Sequence, residues 1–253
     1  MIRTLEIAVG LPSVRAFRWS CDERYTGLKS FYAVGRVERG CSEYRSGGKR
    51  WCAEPGTLVL KQPGDVHRDL SRGAPVSMQV VVLPSVLVEA VKTARRVHPQ
   101  LAANDERSAP LHRLHDAIAH GAEALELDVA LTEGVAAFAA VASQGAQPAA
   151  VRRAVELLRA RLSEAVSLED LAAEVGLDRF YLCHAFRAQL GVPPYAYLTL
   201  LRIARAKHLL ATGVMPRDVA PRVGLYDQSQ LNRHFRRIVG TTPGEFQRRE
   251  RSA

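Results

Sequence analysis

One phrase written twice constrains this chain more than anything else in it. Val175-Gly176-Leu177-Asp178 is followed by Ala185-Phe186-Arg187 and Gly191. Downstream, Val223-Gly224-Leu225 is followed by His234-Phe235-Arg236 and Gly240. Each copy reads as a short helix, a glycine turn and a second helix. In the first copy Ser167 caps a helix over 168–175, with Asp170 three residues on approximating a capping box. Leu168, Leu171, Ala172 and Val175 then share one face at i, i+3, i+4, i+7 spacing. Gly176 stops that helix, and Asp178 caps the next, over 179–190. In the second copy Pro216 suits a first helical turn, the helix ends at Val223, and Asp227 caps a helix over 228–239. Two helices joined by a Gly-containing turn make a helix-turn-helix. A helix over about 149–160 leads in, and a long one over about 194–210 joins the two units.

Charge follows the same division. The net charge is +9, with 17 Lys/Arg against 10 Asp/Glu from residue 144 onward but 18 against 16 before it. A basic unit of this kind attracts polyanions, nucleic acid first among them, although charge alone would also suit an anionic membrane. No run of 18 apolar residues occurs, so no transmembrane helix is expected. The N-terminus has only a short apolar stretch before it turns basic, which does not suit a signal peptide. A cytoplasmic protein is expected. The cysteines at 21, 41, 52 and 183 form no C-x-x-C pair and read as free thiols in a reducing compartment. A thiol-reactive sensor role has no motif behind it.

The first third reads as β. Segments 28–37, 57–60 and 76–83 are short, rich in Val, Leu, Tyr and Phe, and separated by Gly and Pro signals, as in a sandwich or small barrel. After Pro84 the texture becomes helical over 85–97, 109–125 and 129–143. The stretch Ser143-Gln144-Gly145-Ala146-Gln147-Pro148 is small, polar and broken. The expected organisation is therefore α+β: a β domain with helices over 1–142, a linker over 143–150, and an all-α domain over 151–253.

The C-terminal pattern resembles the AraC/XylS family of bacterial regulators. The residues that carry the resemblance are Leu171-Ala172-x3-Gly176, Leu182-x3-Phe186-Arg187, Gly191-Val192-x-Pro194, Arg202-x2-Arg205-Ala206-x2-Leu209-Leu210, Val219-Ala220-x3-Gly224, Phe235-Arg236-Arg237 and Gly240-Thr241-Thr242-Pro243. More weakly, Pro55-Gly56-x-Leu58 and Gln62-Pro63-Gly64-Asp65-Val66-His67 resemble the family's cupin-like β-barrel. The resemblance implies a sequence-specific regulator of transcription that binds double-stranded DNA. It also implies an N-terminal domain that binds a small-molecule effector and pairs into a homodimer through its helices, with room for a contact to RNA polymerase. Two departures stand out. Pro221 lies inside the first helix of the second unit, where it should kink that helix or delay its start. Cys183 and His184 occupy positions where such proteins often carry a small polar residue and Arg.

A recognition helix reads base edges with the exposed residues near its N-terminus. On the second unit these are Gln228, Ser229, Gln230, Asn232 and Arg233. Gln and Asn can pair with adenine and Arg with guanine. On the first unit they are Arg179, Phe180, Cys183 and His184, with Phe180 either touching a thymine methyl or anchoring the core. Arg187, Arg202, Arg205, Lys207, Arg236 and Arg237 are candidates for phosphate contacts or for internal ion pairs. In the barrel, Tyr32, Arg36, Tyr44, Trp51, His67 and Arg68 are candidates to line an effector pocket.

Two other classes compete. A cupin enzyme with a helical appendage needs a metal cluster or a catalytic set. No second His follows His67 within the next 30 residues, and no G-x-S-x-G, P-loop or G-x-G-x-x-G occurs. No enzyme, metal or cofactor is therefore expected. A protein-binding regulator that does not touch DNA would be favoured by poor packing around Pro221.

Overall fold

The computed structural model describes residues 3–21, 26–72, 75–92, 96–141 and 148–251. The chain divides into two compact units, one built chiefly from residues before 147 and the other chiefly from those after. Most of the expected linker, residues 143–147, lies outside the described residues, and Ala149 already begins a helix.

The described residues before 147 hold strands β1 (Arg3–Ile7), β2 (Arg15–Cys21), β3 (Thr26–Leu28), β4 (Tyr32–Arg39), β5 (Ser42–Ser46), β6 (Lys49–Ala53), β7 (Leu58–Lys61), β8 (Val66–Arg72), β9 (Val76–Leu83) and β10 (Gln100–Leu101). They form a six-stranded sheet, β1-β2-β9-β4-β7-β10, and a four-stranded sheet, β3-β8-β5-β6. The β-rich expectation holds, but the strands make two sheets and do not close into one barrel. The larger sheet is apolar on both faces because successive side chains point opposite ways. Ala33, Val37, Val59, Val76, Met78 and Val80 pack with Tyr44 and Ala53 of the smaller sheet. Their neighbours Tyr32, Val34, Leu58, Leu60, Val81 and Leu83 pack against helices α1 (Ser85–Val91), α2 (Ala109–His120) and α3 (Ala124–Ala140). That double burial explains why β9 reads as an almost unbroken apolar run.

The helices differ from expectation at their ends. The helix expected over 109–125 stops at His120, where Gly121 takes φ 65° and turns the chain. Its successor starts at Ala124 rather than Val129. The first helix ends at Val91, well short of Val97, whose N–H instead donates to the Gln62 side chain at 3.2 Å.

From residue 149 on, the regular structure of the described residues is all helix: α4 (Ala149–Ala160), α5 (Leu168–Glu174), α6 (Arg179–Leu190), α7 (Pro194–Ala211), α8 (Pro216–Arg222), α9 (Gln228–Val239) and α10 (Pro243–Arg251). Helix α7 is the shared spine. Its Tyr197 meets Phe186 edge-on at 6.1 Å, while Ile203, Ala206 and Leu210 join Val219, Ala220, Leu231 and Phe235 in the second unit's core. The apolar stripe of α5 is narrower than expected, because Leu168 is 38% exposed and Val175 is only half-buried. Helix α8 does not start late. It begins at Pro216 and reaches Arg222 with Pro221 inside it, on the exposed side. The donor that Pro221 lacks would have served the carbonyl of Arg217, one turn back on an exposed residue, where water can replace it. Val219 and Ala220 stay buried. Among the described residues no helix is long and apolar enough to cross a membrane.

Candidate nucleic-acid interface and ligand cavity

The second helix of each unit is held by matching devices. Asp178 Oδ1 accepts the N–H groups of Phe180 and Tyr181 at 2.8 and 2.9 Å, and Asp227 Oδ1 accepts that of Gln230 at 2.7 Å. Gly191 and Gly240 close the two helices as left-handed caps. Buried Leu182, Phe186 and Leu190 fix the rotation of α6, and buried Leu231, His234 and Phe235 fix that of α9. The remaining faces must therefore point outward. The turns are unequal: Gly224-Leu225-Tyr226-Asp227 is one residue longer than Gly176-Leu177-Asp178. A side chain at Gly224 would place its Cβ 2.7 Å from the Ser163 carbonyl oxygen, so the longer turn still needs glycine there. Tyr226, within the longer turn, is 94% exposed.

On α6, Arg179, Phe180, His184 and Arg187 are exposed and Cys183 is half-buried. Phe180 is therefore not a core anchor. On α9, Gln228, Ser229, Arg233, Arg236 and Arg237 are exposed, while Gln230 and Asn232 are half-buried. Gln230 is already engaged: its Oε1 accepts the Tyr226 N–H at 2.8 Å. Exposed Arg205 and Lys207 project from α7, where the Lys207 ammonium lies 5.5 Å from the Phe246 ring centroid. Arg237 Nη2 lies 3.1 Å from His234 Nδ1. Burial, then the positive charges of Arg237, Arg233 and Arg202, hold the His234 imidazole toward its neutral form.

Arg202 departs from the expected phosphate set. It is buried, and its Nε and Nη2 donate to the carbonyls of Leu162 and Glu164 at 2.9 and 2.7 Å. It ties the loop after α4 to α7 and has no free face for a phosphate. The sequence reading also missed exposed Tyr181, Tyr195 and Tyr226, and helix α10. A signal for α10 was present. Thr242-Pro243-x-Glu245 is a capping box, with Thr242 and Glu245 exchanging N–H bonds at 2.9 and 3.2 Å. Gln230 stands three residues after Asp227, at the same spacing, although its side chain accepts the N–H of Tyr226 rather than that of the cap residue.

Between the two sheets lies a cavity of about 160 Å³. Phe17, Trp19, Phe31, Tyr44, Val59, Met78 and Val80 line it, with Lys29, Lys61, His67, Asp69 and Ser42 as its polar members. Of the expected pocket residues only Tyr44 and His67 are there. Their rings stack at 4.7 Å, and His67 Nε2 lies 3.1 Å from Asp69 Oδ1. Burial pushes the His67 imidazole down to about 4. It also pushes the Lys61 ammonium down to about 7, helped by the charge of Lys29 and opposed by that of Asp69.

The other four expected pocket residues lie elsewhere. Tyr32 and Arg36 occupy the opposite face of β4, where Tyr32 bonds Glu89 and Lys92 and Arg36 pairs with Asp116 of α2. Trp51 donates to the Ser46 carbonyl at 3.0 Å and packs edge-on to His98. Arg68 is exposed, because it alternates with His67 on β8. The same alternation places Lys61 beside Val59 on the cavity face of β7.

Residues 171–249 match the helix-turn-helix domain family, and residues 13–135 match the AraC-like ligand binding domain family. The chain belongs to the AraC/XylS family of transcriptional regulators. Like other members of this family, it pairs a helix-turn-helix DNA-binding domain with an N-terminal ligand-binding domain. Its relatives include the Bacillus subtilis HTH-type regulator YbfI, 29% identical over 79% of this chain and 78% of that protein. The transcriptional activator NphR of Rhodococcus is 27% identical over 86% of this chain and 70% of its own length. The arabinose operon regulatory protein of Salmonella typhimurium is 25% identical over 88% and 85%. Among solved structures, ToxT of Vibrio cholerae superposes with a TM-score of 0.57 over 95% of this chain and 98% of its own. At 14% identity that likeness is one of fold.

Proposed function

We propose that this AraC-family regulator reads its operator with the outward faces of α6 and α9 and answers to a small apolar anion held between its two sheets. The observation that carries the DNA reading is the rotation of α9. With Leu231 and Phe235 buried, the helix presents Gln228, Ser229, Asn232 and Arg233 near its N-terminal end. Arg233 suits guanine, and Gln228 and Asn232 suit adenine. Arg179, Phe180, Cys183 and His184 read a second stretch of major groove, with Phe180 free to meet a thymine methyl. Gln230 contributes less, since its carbonyl oxygen is spent on Tyr226. Arg187, Arg205, Lys207, Arg236 and Arg237 contact phosphates and set the register.

The cavity's chemistry supports the effector class. Its walls are mostly aromatic and aliphatic, and two lysines outweigh one aspartate. An engineered apolar cavity of about 150 Å³ accepts benzene, so a single ring or a short chain bearing one carboxylate fits here. A homodimer is supported by Val86 and Leu87 of α1 and by Leu125 and Val129 of α3. These side chains are exposed on two helices that pack together, and Val86 and Leu125 are 79% and 77% exposed. An apolar patch of this kind suits an isologous partner. The protein acts in the cytoplasm, where its operator lies, and RNA polymerase is the partner through which occupancy changes transcription.

The test uses a duplex selected from random sequence by the purified protein. Arg233→Ala should weaken specific binding by about 1–3 kcal/mol with helix content intact. Unchanged affinity would place Arg233 off the base edges and overturn this reading of α9.

A further inference from the structure

We propose that Cys41 and Cys52 form a dithiol site that hydrogen peroxide converts into an intramolecular disulfide on the β5–β6 hairpin. The two Sγ atoms lie 3.3 Å apart although the residues stand eleven positions apart in the chain. Both are free thiols at the surface, Cys52 exposed and Cys41 half-exposed. A disulfide needs about 2.05 Å between sulfurs, so rotation of two side chains closes the gap. The pairing of β5 with β6 brings the thiols together, and no C-x-x-C spacing announces it. The site rests on neither the DNA reading nor the effector reading.

The surroundings give the two sulfurs different roles. The hydrogen bond to Cys41, partial burial and the carboxylates of Glu54 and Glu43 push the Cys52 thiol up to about 11. On that difference we assign the first attack to Cys41 and the resolving one to Cys52, an order that the two single variants test. The Cys41 thiolate takes one oxygen of the peroxide. The O–O bond breaks, hydroxide leaves and is protonated to water, and Cys41 becomes a sulfenic acid. The Cys52 sulfur then loses its proton and attacks Cys41. The S–S bond forms, the S–O bond breaks, and a second water leaves. Two thiols are oxidised and one peroxide is reduced to two waters. Because β5 supplies Ser42 and Tyr44 to the cavity wall, the new bond pins one side of that cavity.

The experiment treats the full-length protein with hydrogen peroxide, alkylates the remaining thiols in denaturant, and maps the peptides without reduction. The expected result is a fall from four reactive thiols to two, with one linked peptide pair containing Cys41 and Cys52, reversed by dithiothreitol. Cys52→Ser should stop at a Cys41 sulfenic acid that dimedone traps, and Cys41→Ser should give no linked pair. Links to Cys21 or Cys183, links between chains, or a full thiol count in wild type at the peroxide level that labels Cys41 in Cys52→Ser would each overturn the proposal. The wild-type peptide map decides even if a variant folds poorly.

Discussion

Gln230 holds the backbone of Tyr226: its side-chain oxygen accepts the Tyr226 N–H at 2.8 Å, while the Gln230 N–H donates to Asp227 at 2.7 Å. A residue that looks like a base reader in the sequence is thus half of a helix cap. Gln230→Ala should lower stability by about 1 kcal/mol, the usual worth of a cap, and weaken specific DNA binding less than Arg233→Ala does. Thermal unfolding and a binding titration on one selected duplex separate the two effects. If Gln230→Ala costs affinity but no stability, the glutamine has let go of the cap to reach a base.

Arg202 and Arg205 lie one helical turn apart on α7 and should behave in opposite ways. Arg202 is buried with two charge-assisted bonds to carbonyls, so Arg202→Ala should destabilise the C-terminal unit by about 1.5–3 kcal/mol. Arg205 is exposed. Arg205→Ala should leave the melting temperature within about a degree and reduce the salt slope of DNA binding by about one ion. The slope comes from affinities measured across a salt series. An Arg202→Ala protein that melts like wild type would mean that the two carbonyls are satisfied by water.

The acid limb of stability should carry the signature of His67. Its imidazole titrates near 6.5 when unfolded and at about 4 in the fold, held down chiefly by burial and also by Lys29 and Lys61, against the pull of Asp69. Between those values the unfolded chain binds more protons. Stability from this group is therefore complete above pH 6.5 and is lost as pH falls toward 4. The full effect is about 3 kcal/mol. His67→Gln should flatten the rise in melting temperature between pH 4.5 and 7, relative to wild type. An unchanged slope would show an imidazole that is solvated in the fold.

Lys61 makes effector binding visible as proton uptake. At about 7, its amine is largely neutral at pH 8, and an incoming carboxylate restores the charge. Benzoate should raise the melting temperature, whereas benzyl alcohol and benzylamine should not. Calorimetry at pH 8 in buffers of differing ionisation enthalpy should show uptake approaching one proton. Affinity should fall as pH rises above 7, and Lys61→Met should abolish both signals. Equal binding of benzyl alcohol would remove the anion requirement while leaving the cavity as the effector site.

The C-terminal unit was legible because its information is local. Asp178, Gly191, Asp227 and Gly240 each act within a few residues, so caps and turns can be read letter by letter. Pro221 misled because the rule that prolines break helices assumes an interior donor that matters. Here the bond lost is at an exposed turn. The cavity was hard to read because its walls come from strands distant in sequence. Strand β2, which brings Phe17 and Trp19, has no clean alternation. Lys61 reads as an ordinary strand-end charge until β7 is paired on both sides. Tyr32 and Arg36 were misassigned for a related reason: a one-residue step along a strand reverses the face, and the sequence does not say which layer covers which face.

The division of α9 into a buried half and an outward half has a consequence for how this protein can change over time. Leu231, Phe235, Asp227 and Gly240 hold the helix; Gln228, Ser229, Asn232 and Arg233 carry none of that burden. Duplicated copies of the gene can therefore rewrite the outward letters one at a time and acquire new addresses on a chromosome, each intermediate still a folded protein.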